Sequence, residues 1–519
     1  MPSFARRPAV ALKLLLGSGD DLTVEAQATP ILAGMRSAPT LRVARALVHY
    51  RHQVVRGQIS RAVLLEEADV PLATLRSAAG NIGARVDDPG LHFFDATGKG
   101  ELKFGPGAGF VIGLSIGTSS LRAALVDAHG ETVLFDALEP DEKQLKKSPP
   151  DLLEDVKKLA GNLVSRAFAE RPELLVDGRL PLLGVSVAWP CPVNRAGRPD
   201  GYALEHSRWK ERALNDRLSR ALGLKVRRCN SLNDTAAAAV AVAAERTIPI
   251  VHDDPHTRLT FVLRLAGGIG GATVIVERPM FDPEKPIKGF PNSILLGGRD
   301  LHAGEIGHIR IGDGQIDSLN KACERDRMDL DPIAAGRCSC APREESAEIK
   351  HLQAYAGAEA LAKRLRLGDP DAAALEALHE RALDPRETRV LEDMGELVAH
   401  ALRGPIAVLD PAEIVITGSL ALETVKKTIE KYLQDNEVFG VAPEVTRLDG
   451  NENRYVRARG AALVVVRRRL YRALPELVGE TKAEVRRARI EELTERFEEG
   501  TWSDSKSKRK LAPSRGAEA

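Results

Sequence analysis

Five groups of residues in this 519-residue chain carry chemistry in their types and spacing. Phe110-Val-Ile-Gly-Leu-Ser-Ile-Gly-Thr-Ser-Ser120, followed by Leu121 to Asp127, is a pair of apolar runs around a turn that holds Gly117 and Thr118. Arg264-Leu-Ala-Gly-Gly-Ile-Gly-Gly-Ala-Thr-Val-Ile-Val-Glu277 repeats the pattern with Gly267, Gly268 and Gly270 at its turn. Both read as β-hairpins, and glycine lets turn amides come close to a phosphate. The same turns also serve hairpins that bind nothing. Between the two, Asn233-Asp234 opens an alanine-rich helix from Thr235 to Arg246. A carboxylate there either faces a cleft and accepts a proton, or only favours the helix start by its charge. Glu305 and His308 lie three apart, so on a helical turn both point into one cleft. Cys338-Ser-Cys340 reads as a pair of metal ligands, because five cysteines in so long a chain make no disulfide framework.

Elements to position these groups are visible in the periodicity. Strands are predicted near 110–117, 121–127, 131–136 and 182–188, and another from Arg258 to Leu265. A helix is predicted from Asp151 to Ala169, with Leu152, Val156, Leu159 and Leu163 on one face, and a helical region from about Ala354 to Val408.

In their order and content these motifs resemble the ROK family (repressors, open reading frames, kinases), from about Phe110 to about Leu470. Trp189-Pro-Cys-Pro-Val-Asn194 stands where the family has its sugar-proximal "PGPVD" turn. Val408-Leu-Asp-Pro411 and Ala412 to Leu420, with Gly418, resemble the "LDPEVIVIGG" strand and turn that face the nucleotide. Gly460-Ala-Ala-Leu463 resembles the closing helix. The resemblance implies an α/β, two-lobed actin/sugar-kinase (ribonuclease H-like) fold, with residues 106–239 as the first lobe and 240–472 as the second. It further implies Asn233, Asp234, Glu305, His308 and Gln353 as sugar-binding residues, and Asp234 as the catalytic base if the chain is a kinase. Gly117, Thr118, Gly267, Gly268, Gly270 and Gly418 would be the remnants of the nucleotide and phosphate loops.

Departures from the family pattern bear on activity. The kinases' "DIGGT" carries an aspartate that helps to hold the magnesium nucleotide; here Ser115 takes its place, and a neutral hydroxyl cannot supply that charge. Gln353 replaces a sugar-binding glutamate, and His351 stands where the third zinc cysteine belongs. His308, Cys338, Cys340 and His351 could then form a closed Cys2His2 zinc site, with Cys323 as an alternative thiolate. ATP and magnesium are expected only if the chain is a kinase.

The remainder of the chain suggests a regulator. From Arg36 to Arg85 there are eight arginines, no lysine and three acids, a balance of 8 − 3 = +5 within a chain whose net charge is +1. Such a segment can neutralise phosphates. Helix signals at Thr40, Ser60 and Leu72, with the turn Asp69-Val-Pro71, fit a helix-turn-helix, and Arg85 to Phe104 a wing. A winged helix-turn-helix over 36–105 is therefore expected, with Arg61, Thr74, Arg76 and Ser77 against DNA; a small dimerisation module is the alternative. Residues 1–35 read as an arm, and 473–519 as a charged helix and disordered tail. No apolar run approaches the roughly 20 residues that span a bilayer. The expectation is a cytoplasmic, homodimeric, sugar-responsive transcriptional regulator, read as a repressor acting on a DNA operator. The alternatives are an ATP-dependent sugar kinase and a protein-binding scaffold.

Overall fold

The computed structural model describes residues 108–468 with breaks, the longest at 249–256, 278–286 and 326–349, and two short strands before them. The expected arm, the helix-turn-helix with Arg61, Thr74, Arg76 and Ser77, Thr118, Cys338, Cys340 and the charged tail lie outside the described residues. Strands β1 (Phe94–Ala96) and β2 (Leu102–Phe104) pair antiparallel inside the segment expected to form the wing.

The first sheet is built from β3 (Phe110–Ile116), β4 (Leu121–Val126), β5 (Thr132–Leu138), β6 (Leu182–Trp189) and β7 (Cys229–Asn233). Its order is β5-β4-β3-β6-β7; the first three strands run antiparallel, and β3, β6 and β7 run parallel. Every residue of β3, β4 and β6 is buried, as expected for strands covered on both faces. Helix α1 (Pro149–Glu170) covers one face; Pro149 starts it, and Leu152, Val156, Leu159 and Leu163 are buried as their spacing predicts. Helix α2 (Leu214–Leu222) packs beside α1 and ends on Gly223 in the left-handed conformation.

Helix α3 (Asp234–Glu245) then leads to a two-stranded ribbon, β8 (Thr247–Ile248) with β11 (Ile287–Lys288), and to the second sheet. That sheet contains β9 (Thr257–Leu265), β10 (Ile269–Glu277), β12 (Ser293–Leu296), β13 (Glu413–Thr417) and β14 (Glu444–Arg447), in the order β12-β10-β9-β13-β14. The first three strands are again antiparallel and the last two again parallel to β9, so both sheets have one plan. Helices α4 (Asp313–Arg325), α5 (Leu352–Ala356), α6 (Ala358–Leu365), α7 (Pro385–Leu409) and α8 (Glu423–Asp435) complete this lobe. Asp384 and Glu387 form a reciprocal capping box at the start of α7.

The sequence reading puts the boundary between the lobes at 239/240. Position 239/240 falls inside α3, and the final helix α9 (Gly450–Val466) does not stay with the second sheet. It follows β14 but packs on β3, β4 and β6, while α3 follows the first sheet and packs on β9, β10 and β12. The two helices also lie against each other, and small residues permit this. A Cβ on Gly460 would stand 1.7 Å from the Ala237 carbonyl oxygen, and one on Gly113 would stand 1.9 Å from that of Ala458. Glycine is required at both by close backbone approach. Among the described residues no helix is long and apolar enough to cross a membrane.

Candidate functional site

The two crossing helices deliver the central charges. Asp234, the first residue of α3, has a side chain only 3% exposed, and it sits between two guanidiniums. Arg264 at the end of β9 places Nη2 3.2 Å from Asp234 Oδ2, and Arg457 on α9 places Nη1 3.4 Å from the same oxygen. Buried carboxylates and guanidiniums occur in pairs because an uncompensated buried charge is costly. Burial, and then the neighbouring Arg264, bring the Arg457 guanidinium down to about 10, against the opposing pull of Asp234. The expected base is thus held by both lobes at once.

Asn233, expected as a sugar-binding residue, also caps a helix. Its Oδ1 accepts from the backbone N–H groups of Thr235 (2.9 Å) and Ala236 (3.1 Å), so it caps α3 and only its amide nitrogen is left for a sugar hydroxyl. Asn194 similarly spends its Oδ1 on Ala196 and Arg198 N–H groups in a local turn. The preceding Trp189 is wholly buried and meets Trp209 edge-on at 5.4 Å. Cys191 is buried beside the carboxylates of Asp234 and Glu305; burial first, then those charges, raise its thiol pKa, so it is an inert wall group.

Glu305 precedes a short 3-10 turn, Ile306–His308, and its Oε2 lies 3.5 Å from His308 Nε2. The Gln353 amide lies against both the glycine turn and this segment: a Cβ on Gly268 would be 3.3 Å from its Oε1, and one on Gly307 would be 3.0 Å away. Asp234, Glu305, His308 and Gln353 therefore form one polar group at the floor between the lobes. Burial, reinforced by Asp234, pushes the Glu305 carboxyl up to about 7. Between its ordinary 4.5 and that value the folded chain holds a proton that the unfolded chain releases, so stability falls as pH rises through this window and the penalty is complete above it. Glu305→Gln is accordingly expected to be more stable than the parent by about 1–3 kcal/mol at pH 8 and indistinguishable near pH 4.5. Thermal melts at the two pH values check this; a difference of equal size at both would refute the assignment.

His308 and His351 meet edge-to-face with ring centroids 5.5 Å apart, close enough to share one ion, and burial together with Arg310 keeps His351 below the usual imidazole range and hence neutral. The two cysteines expected to complete the set are outside the described residues, and among the described residues no group of three or more His, Cys, Asp and Glu could hold a metal. Cys323, the alternative thiolate, is wholly buried in the apolar core of the second lobe.

The glycine turns divide. Gly117, Gly267 and Gly418 line a cavity of about 420 Å³ together with Arg122, Arg264 and Arg457. Gly270 instead packs on α3, where a Cβ would be 2.4 Å from Thr235 Oγ1, and Gly268 packs on Gln353. Gly418 has a φ of +108°, and its N–H donates to Asn453 Oδ1 at 2.8 Å. The Gly117 N–H donates to the Ser120 carbonyl at 2.8 Å. Ser115, at the kinases' magnesium position, is 0% exposed and its Oγ has no hydrogen-bond partner. A buried hydroxyl there, and an Asp234 tied to two arginines, do not fit a magnesium nucleotide poised for transfer.

Arg264, Arg457 and Arg122 were not singled out from sequence. Arg122 and Arg264 carry a signal in hindsight, since each interrupts an otherwise apolar strand, Leu121-Arg-Ala-Ala-Leu-Val126 and Thr260-Phe-Val-Leu-Arg-Leu265. Arg457 has no such signal among its neighbours Arg454 and Arg459.

Two sheets of one plan, exchanged helices and a glycine-lined cleft between them define a two-lobed, sugar-kinase-like protein. The chain belongs to the ROK family, whose sequence profile matches residues 111–467. Among solved structures it is similar to a ROK family transcriptional regulator described as a homologue of the E. coli MLC protein, with 17% identity and a TM-score of 0.51 over 85% of this chain and 100% of that one. It is also similar to a ROK family glucokinase from Streptomyces griseus (17% identity, TM-score 0.45, 69% of this chain and 99% of that one). A ROK hexokinase from Thermus thermophilus gives 20% identity and a TM-score of 0.42 over 68% of this chain and 97% of that one. No curated protein matches it.

Proposed function

We propose that this chain is a sugar-responsive transcriptional regulator, a repressor that senses a sugar or sugar derivative in a kinase-like cleft without efficiently phosphorylating it. The observation that carries the reading is the double ion pair on Asp234. A general base must be able to take a proton from the attacking hydroxyl, whereas a carboxylate neutralised by Arg264 and Arg457 serves better as an oriented acceptor of a sugar hydroxyl. Ser115 supports the same reading, because it removes the charge that magnesium needs.

The basic segment 36–85 supplies the DNA-binding half, with Arg61, Thr74, Arg76 and Ser77 at the operator, and a homodimer in the cytoplasm presents two copies to two half-sites. Ligand between the lobes favours the closed arrangement and so changes the angle between the paired DNA-binding segments. The test is to map the protein on its own chromosome with and without Arg76→Ala. Discrete peaks near sugar-uptake or catabolic genes, lost in the variant, are expected; no specific peaks under varied carbon sources would remove the regulator reading. An ADP-release assay over hexoses, amino sugars and N-acetylated sugars is expected to show no Asp234-dependent turnover, and such turnover would establish the kinase instead.

Zinc belongs to the same proposal, held by His308, Cys338, Cys340 and His351 as a structural ion behind the sugar-binding turn. Elemental analysis of the purified chain is expected to give about one zinc per protomer, lost in His351→Ala. A metal-free parent that binds sugar normally would sink the zinc site and leave the sensor standing.

A further inference from the structure

We propose that the outer surface of the first lobe around α2 is a second nucleic-acid contact, one that holds the DNA backbone without reading its sequence. This goes beyond the regulator reading, because the surface belongs to the kinase-like body and not to the segment expected at the operator. None of its residues lines the cavity between the lobes.

Positive charge is concentrated in this part of the chain. Residues 195–228 hold ten basic side chains against the acids Asp200, Glu205, Glu211 and Asp216, a balance of 10 − 4 = +6 in a chain whose total is +1. Arg228 is buried, and without it the balance is still 9 − 4 = +5. The fold gathers these charges along one helix. Leu214, Leu218 and Leu222 form the buried stripe of α2, so Arg217 and Arg220, one turn apart, stand off it. The Leu214 N–H donates to the Gly197 carbonyl at 2.8 Å, which sets Arg198 beside the start of α2. Arg217 lies over Trp209, 5.6 Å from the ring centre, and its Nη2 donates to the Arg208 carbonyl. Burial lowers the Arg217 guanidinium from its ordinary value, with Glu211 pulling the other way and Arg212 adding to the shift. Past Gly223, the Leu224 N–H returns to the Ser219 carbonyl at 3.0 Å and brings Lys225 and Arg227 to the far end of the helix.

Exposure and pairing point to an anion in solution. Arg198, Arg208, Arg212 and Arg220 are all exposed, and among the described residues none of the four is ion-paired. Glu211 lies 3.9 Å from Arg217, with its own side chain 61% exposed. Like charges crowded on one surface repel, and a polyanion relieves that repulsion. A protein partner would call for apolar anchors at the centre of the surface. Here Trp209 is wholly buried, and among the described residues of this surface Val226 is the large apolar side chain left exposed. A set of guanidiniums without anchors fits a phosphate backbone, where each contact releases a counterion and carries no sequence information.

The test is fluorescence anisotropy of the full-length protein on a random-sequence DNA duplex, over salt from about 50 to 200 mM. The parent is expected to bind with an affinity that falls steeply as salt rises. The triple variant Arg208→Gln, Arg212→Gln, Arg220→Gln changes exposed side chains outside the cleft, and it is expected to keep the parental melting temperature. Its binding is expected to be at least about tenfold weaker at the low-salt end, with a salt slope smaller by about two to three. No binding of the duplex by the parent, or an unchanged affinity and slope in the triple variant, would overturn the proposal. So would tighter binding of the parent to polyglutamate or to phosphatidylserine vesicles, since an acidic protein or a membrane would then be the better occupant. Arg76→Ala is measured beside it. If that substitution changes nothing while the triple variant weakens binding, the operator-reading segment fails and this surface stands; the reverse result removes this surface and leaves the segment.

Discussion

Gly460→Ala is expected to leave little folded protein. The added methyl group would stand 1.7 Å from the Ala237 carbonyl oxygen, which belongs to helix backbone and cannot swing aside as a side chain could. Helices α3 and α9 would have to separate, and with them the covers of both sheets. A cost above about 4 kcal/mol is expected, enough to unfold a domain of ordinary stability. Gly314→Ala provides the contrast. Gly314 lies in the first turn of α4 with nothing within 4 Å of the place its added methyl group would take, so alanine there is expected to stabilise by about 0.5–1 kcal/mol. Circular dichroism melts of the two variants check the pair. Near-equal melting temperatures would show that α3 and α9 do not approach so closely.

The second large effect is at Asp234. Removing its carboxylate in Asp234→Ala leaves Arg264 and Arg457 facing one another, with side chains only 13% and 15% exposed and without a counter-charge. A loss of about 3–5 kcal/mol is expected, as for other broken buried pairs. Sugar affinity is expected to fall with it by at least about tenfold, one charged hydrogen bond to a hydroxyl being lost. Stability alone does not separate the roles, so the informative variant is Asp234→Asn with Arg457→Gln. This removes one charge of each sign, and it is expected to recover most of the melting temperature while the sugar affinity stays low. Unchanged sugar affinity in Asp234→Ala would place the sensing site elsewhere.

Much of this arrangement is legible in the sequence, for physical reasons that differ from element to element. Strands β3, β4 and β6 are continuous apolar runs because both of their faces are covered, and α1 shows its buried stripe in the spacing of Leu152, Val156, Leu159 and Leu163. The grouping of polar residues is legible through motif order, and the structure brings Asp234, Glu305, His308 and Gln353 to one place. What periodicity does not contain is the identity of the partner surface. The burial of Val456, Leu463 and Val466 on α9 says that the helix has an inner side, but not that the side belongs to the first sheet. Asn233 shows a second limit, since one residue type suits both a helix cap and a sugar contact, and the cap takes its oxygen. Arginine roles were hidden for a third reason. Buried guanidiniums are recognised by the carboxylate they meet, and Arg264 and Arg457 lie 30 and 223 positions from Asp234.

The exchange of α3 and α9 also sets the order in which this chain can mature on the ribosome. When β7 emerges, the first sheet is complete in strands, yet the helix that will cover its second face is still more than 200 residues from synthesis. At bacterial or eukaryotic elongation rates that wait is on the order of tens of seconds. During it, the apolar face of β3, β4 and β6 has no cover of its own, so the nascent first half must remain open or be held by a chaperone. A truncation just before Gly450 therefore leaves the second sheet with α3 upon it and the first sheet without its second cover, and the first lobe reaches its native state only after α9 has been made.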